Sequence, residues 1–148
     1  MPIRATIMLA DSAQAVGGKL YILGGGWNMV NGPVASAIAV LFNVSWDLGN
    51  TRHTWRLELV DSDNQPVRVP QPEGEPQPIY VAGEFEVGRP EGYPQGAELV
   101  SPLAVQLGPL PLAPGRYVWR LLIDGEEPTD AERAVFTVVP PPAPSDTV

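Results

Sequence analysis

Apolar and polar residues alternate with a period of two along most of this chain, and no helical period is sustained over any comparable length. Ala5, Ile7 and Leu9 alternate with Arg4, Thr6 and Met8, which predicts a first strand. Gly17-Gly18 separates Ala13–Val16 from Lys19–Leu23, and a two-glycine turn suits a hairpin whose two turn residues both need positive φ. Gly24-Gly25-Gly26 then ends the second strand, as a flexible exit or a crossover between sheets. A strand is predicted over Val34 to Trp46, with Ile38, Val40, Phe42, Val44 and Trp46 on one face. Its other face, Ala37, Ala39 and Leu41, is also apolar as far as Asn43, so the strand is either covered on both sides or lies at a subunit contact. Asp47–Asn50 reads as a turn, or as one helical turn capped by Asp47.

The second half repeats the pattern. From His53 to Val60, Trp55, Leu57 and Leu59 point inward and Thr54, Arg56 and Glu58 outward, and Asp61–Asn64 closes the strand as a side-chain-bonded turn. Pro70–Pro78 reads as a polar loop. Ile79, Val81, Phe85 and Val87 line the next strand, where Gly83 on the apolar face marks a bulge or a close neighbour. Leu99, Leu103, Val105 and Leu107 make a strand that Pro102 places at an edge. Tyr117, Trp119, Leu121 and Ile123 make another, and Ala134, Phe136 and Val138 the last. This is an all-β chain of seven to nine strands, expected to pack as an antiparallel β-sandwich in one domain over residues 1–139, with a proline-rich tail over 140–148. The order of strands within the sheets is not readable.

Composition narrows the functions available. The chain has 148 residues, with 15 glycines and 18 prolines, too many helix breakers for a helical bundle. A net charge of −8, with one lysine (Lys19) among nine cations, argues against nucleic acid as a partner. The absence of cysteine excludes thiol catalysis and Cys-based metal sites, and a single histidine, His53, excludes a two-His site in one chain. The apolar stretch Ala5–Ala10 falls short of the roughly 7–15 residues of an export signal, and nothing approaches the roughly 18 of a membrane-spanning helix. A cytoplasmic protein with no membrane partner is expected.

Two resemblances follow from particular residues. Leu112-Ala113-Pro114-Gly115-Arg116-Tyr117, leading into Trp119, Leu121 and Ile123, resembles the penultimate strand of immunoglobulin-like and fibronectin type III-like domains. That likeness implies an immunoglobulin-like sandwich in which the Tyr117 hydroxyl bonds back to the chain at the corner. Ala10–Gln14 with Gly18–Trp27, Gly83–Pro90 and the Pro-Gly-Arg-Tyr-Val-Trp-Arg block resemble an uncharacterised bacterial family of small β proteins, which implies no activity, substrate or site.

No catalytic constellation is readable. His53 has no serine elbow in the sequence to serve, and Glu84 and Glu86 read as a solvated strand face rather than a paired-carboxylate site. Asp61, Asp63 and Asn64, with Glu73 and Glu75 in the next loop, offer oxygens for calcium without the spacing of an EF-hand, and read first as an Asx turn. The expectation is a non-enzymatic protein without metal or cofactor that acts by protein–protein contact, self-association into a homo-oligomer first. Aliphatic side chains at outward positions, Val118, Leu122, Ala39 and Leu41, are the candidate contact. The alternative is a small-ligand or carbohydrate-binding module, calcium-assisted near Asp61, using Trp27, Asn28, Tyr80 and Tyr93.

Overall fold

The computed structural model describes residues 3–31, 35–127 and 133–140. Among them are eleven strands and one short 3-10 turn. A four-stranded sheet runs in the order β2 (Lys19–Gly25), β1 (Ile3–Val16), β4 (Ser36–Val44), β9 (Leu99–Leu107). A five-stranded sheet runs β3 (Met29–Asn31), β11 (Ala134–Val139), β10 (Gly115–Ile123), β5 (Arg52–Asp61), β8 (Tyr80–Glu86). A two-stranded ribbon pairs β6 (Arg68–Val69), just before the stretch read as loop, with β7 (Gln77–Pro78), at the end of that stretch. The strands beyond the expected seven to nine are two or three residues long, too short to show any alternation.

Pairing is antiparallel throughout the described strands except between β3 and β11, which run parallel, a departure from the all-antiparallel expectation. Its cause is the glycine run. Near its end β2, on the edge of one sheet, passes Gly24 (φ 61°), and beyond the strand the chain turns at Gly26 (φ 91°) and resumes as β3 on the edge of the other. The hairpin turn is as the glycines require, with Gly17 and Gly18 both at positive φ and Val16 paired to Lys19.

One apolar core draws on both sheets. Ile3, Ala5, Leu9, Ile38, Val40 and Phe42 come from the four-stranded sheet, and Trp55, Leu57, Trp119, Leu121 and Phe136 from the five-stranded one. Phe42 stacks on Phe85 across the core, with ring centroids 4.2 Å apart. Gly83 lets this packing close, because a Cβ there would stand 2.9 Å from the Trp55 ring. Pro102 does lie on an edge strand. The strand read as ending at Trp46 ends at Val44, and Trp46–Leu48 forms the 3-10 turn. Its N-cap is Ser45 rather than Asp47, and Arg89 anchors it by donating to the Trp46 carbonyl through Nε and Nη2. Val34, and the proline-rich tail beyond Pro140, lie outside the described residues.

A second, smaller cluster sits on the other face of the four-stranded sheet. Ala37 and Ala39 of β4 are buried there with Ala13 of β1, and Leu20, Ile22 and Ala104 pack against them. Since Leu9 belongs to the main core and Ala13 to this outer cluster, β1 changes face between them, opposite the positive-φ Gly24. The end of β1 and the following β2 thereby cover the apolar outer face of β4. Gln106 fastens the cover, donating through Nε2 to the Ala13 carbonyl.

Candidate functional site

Each of the two larger sheets has two edges, and an edge strand offers unpaired backbone donors and acceptors to any other strand. Three of the four edges carry a device that discourages pairing. β9 contains Pro102, β3 is three residues long, and β8 carries Glu84 and Glu86. β2 carries none. It is seven residues long, has no proline and no acidic residue, and its one charge, Lys19, stands at its start. Leu20 and Ile22 pack inward, so Tyr21 and Leu23 face out, at 55% and 71% exposure. Val16 on the adjoining strand is exposed as well. Strand order was not legible from the sequence, so nothing there singled out Tyr21 and Leu23.

The four residues expected to form the contact lie elsewhere. Ala39 is only 2% exposed beneath the β1–β2 hairpin, which removes it as a contact residue. Leu41 is half-buried on the same outer face, paired to Thr6 and Pro102. Val118 and Leu122 do lie on the outer face of β10, the central strand of the five-stranded sheet, and both are half-buried, Val118 between Val60 and Val135 of the neighbouring strands and Leu122 beside charges. Arg120 stands opposite Glu58, and Leu122 opposite Arg56. Glu58 Oε1 is 3.6 Å from Arg120 and 3.7 Å from Arg56, whose guanidinium lies 3.8 Å from the centre of the Tyr80 ring. Arg52 pairs loosely with Glu84 at 3.7 Å. This is a salt-laced face with aliphatic gaps, not a continuous apolar one.

The residues of the alternative ligand site do not converge. Trp27 is half-buried and meets Phe136 edge-on at 6.4 Å, so it plugs the end of the core rather than facing solvent. Asn28 is exposed beside it, its carbonyl accepting from the Thr137 N–H. Tyr80 is exposed on β8, at the opposite edge of the five-stranded sheet from β3, under Arg56. Tyr93 is exposed in the loop between β8 and β9.

The chemistry-bearing side chains have structural partners. His53 is 4% exposed, with Nδ1 2.8 Å from Asp124 Oδ2, Nε2 3.4 Å from the Leu48 carbonyl and Phe85 against its ring. The Asp124 carboxylate also accepts from the Thr54 N–H at 3.0 Å. Partial burial opposes the Asp124 charge, but the hydrogen bonds from Thr54 and His53 outweigh it and hold the carboxyl below its ordinary value. Asp61 Oδ1 accepts from the N–H groups of Asp63 and Gln65, an Asx turn that places Asn64 at φ 62°. Among the described residues no three His, Asp or Glu side chains group as metal ligands would.

Among the described residues the geometry is thus that of an all-β protein of two main sheets, with one unguarded strand edge and a solvated, charge-paired outer face. The chain belongs to a family of unknown function, DUF6941, whose family model matches residues 5–136. That agrees with the resemblance drawn from the glycine-rich and Pro-Gly-Arg-Tyr segments. No curated protein matches the chain. No helix among the described residues is long and apolar enough to cross a membrane.

Proposed function

We propose that this chain is a non-enzymatic, immunoglobulin-like β-sandwich that acts through protein contact, and that its first partner is a second copy of itself. The shared core of the two sheets supports the sandwich. The Tyr117 hydroxyl donates to the Ala113 carbonyl at 2.6 Å, as the immunoglobulin-like corner requires.

The observation that carries self-association is the β2 edge. Two copies of one strand can pair antiparallel about a twofold axis, with the same residues contributed by each side. Centred on Ile22, such pairing sets Tyr21 of one copy opposite Leu23 of the other, an aromatic–aliphatic cross-strand pair. Ile22 and Leu20 stay on their own outer cluster, so neither copy has to unpack. A seven-residue ladder is a small contact, below the roughly 1,200 Å² of standard interfaces, so the dimer is weak and its population follows concentration.

Leu23→Lys tests this reading. Leu23 is exposed, so the variant should fold and keep its far-UV spectrum, while the mass by light scattering falls to the monomer. A folded Leu23→Lys variant that stays dimeric removes the β2 edge from the account.

A further inference from the structure

A groove of about 350 Å³ lies on the outer face of the five-stranded sheet where β10 meets β11. The cross-strand pair Val118–Val135, both half-buried, lines it together with Arg116, Arg133 and Ser62. Strand register explains the arrangement. β10 and β11 run antiparallel, with Arg116 two residues before Val118 and Arg133 two residues before Val135, so the two cations lie beyond opposite ends of the valine pair. At about 3.4 Å per residue their backbones stand about 13 Å apart along the strands, yet both side chains line the one groove.

The two cations are held differently. Glu127 fixes Arg133, accepting from its Nε at 2.7 Å and its Nη2 at 2.9 Å, a pairing that does not engage Nη1. Arg116 is exposed and has no carboxylate at ion-pair distance among the described residues, whereas Arg4, Arg52, Arg56, Arg120 and Arg133 each have one. In a chain with 17 acidic side chains against 9 basic ones, an arginine without a counter-ion at a concave place leaves a charge for an anion to complement. Ser62 adds a hydroxyl, placed by the turn in which Asp61 Oδ1 accepts from the N–H groups of Asp63 and Gln65.

This lining sorts the classes of ligand. A neutral sugar would set hydroxyls on two valines, and a cation would face two guanidinium groups. Inorganic phosphate would engage an arginine and leave the valine pair in water. A carboxylate matches the planar fork of a guanidinium, and a methylene chain matches the valines. We infer that this groove binds a short aliphatic dicarboxylate, one carboxylate on Arg116 and the other on Arg133, with the methylene chain across Val118 and Val135. The groove is on the other sheet from the β2 edge and stands or falls independently of self-association.

Adipate is the probe, compared at constant ionic strength with hexanoate, which has one carboxylate, and 1,6-hexanediol, which has none. The methyl signals of Val118 and Val135 in ¹H–¹³C spectra, assigned by their loss in Val118→Ala and Val135→Ala, report occupancy. Adipate should shift both saturably and bind about tenfold tighter than hexanoate, as one more charge-assisted contact implies, while hexanediol leaves them still. Arg116→Gln, at an exposed position, should keep the far-UV spectrum and bind adipate about tenfold more weakly. Arg52→Gln removes the same charge at the far end of β5 from Asp61 and should leave the affinity unchanged. Shifts that rise linearly with concentration, equal affinity for adipate and hexanoate, wild-type affinity in folded Arg116→Gln, or an equal loss in Arg52→Gln overturns the assignment.

Discussion

Tyr117 joins three parts of the molecule at one residue. Its ring stacks on Phe136 at 5.7 Å, its hydroxyl donates to Ala113 four residues upstream, and its backbone belongs to the central strand of the five-stranded sheet. Tyr117→Phe keeps the ring and leaves the Ala113 carbonyl without its donor. It should cost about 1 kcal/mol, read from the urea midpoint at unchanged slope. This contact was legible beforehand, because the leucine, Pro-Gly and tyrosine that make it lie within six consecutive residues. The His53–Asp124 pair was not, since its members are 71 residues apart and meet only through the register of β5 against β10. The folded Asp124 carboxyl lies below its unfolded value of about 3.9. Its contribution to stability is therefore complete at neutral pH and fades as pH falls below about 4. Asp124→Asn should lower stability at pH 7 and flatten the acid limb of a stability–pH curve; an acid limb identical to wild type would remove Asp124 from it.

At the scale of elements, the β1–β2 hairpin decides how the four-stranded sheet meets solvent. Alternation shows that β4 is apolar on both faces, but it does not show what lies over the second face. A covering hairpin and a partner subunit leave the same mark on the sequence. The structure chooses the hairpin for Ala37 and Ala39. Ala39→Glu should therefore destabilise the monomer by at least about 3 kcal/mol, because it buries an unpaired charge, rather than disperse an oligomer. Gly83 is a second position where one atom matters. Gly83→Ala places a methyl 2.9 Å from the Trp55 ring, and thermal unfolding should show a loss of about 1–3 kcal/mol. The sequence marked Gly83 as a close approach because it interrupts an apolar face, without indicating which ring comes near.

Over the whole molecule, charge and edges are distributed unevenly. Arg52, Arg56, Arg116 and Arg120 share the outer side of the five-stranded sheet with Glu58, Glu84 and Glu86, and the pairs between them keep that side solvated. The apolar side chains left most open, Leu23, Met29, Val16 and Tyr21, lie instead on the hairpin and the crossover that follows it. Period-two patterning identifies strands and their buried faces well, but whether a strand is central or at an edge is a property of the assembled sheet. That is why the aliphatic positions of β10 stood out in the sequence while the exposed edge of β2 did not. The measurement that tests this most directly is sedimentation velocity across a hundredfold range of concentration, on the wild-type chain and on Leu122→Glu. A concentration-dependent monomer–dimer equilibrium in both proteins is the predicted result. A wild-type chain that stays monomeric at the highest concentration, or a dimer that Leu122→Glu abolishes, would contradict the account.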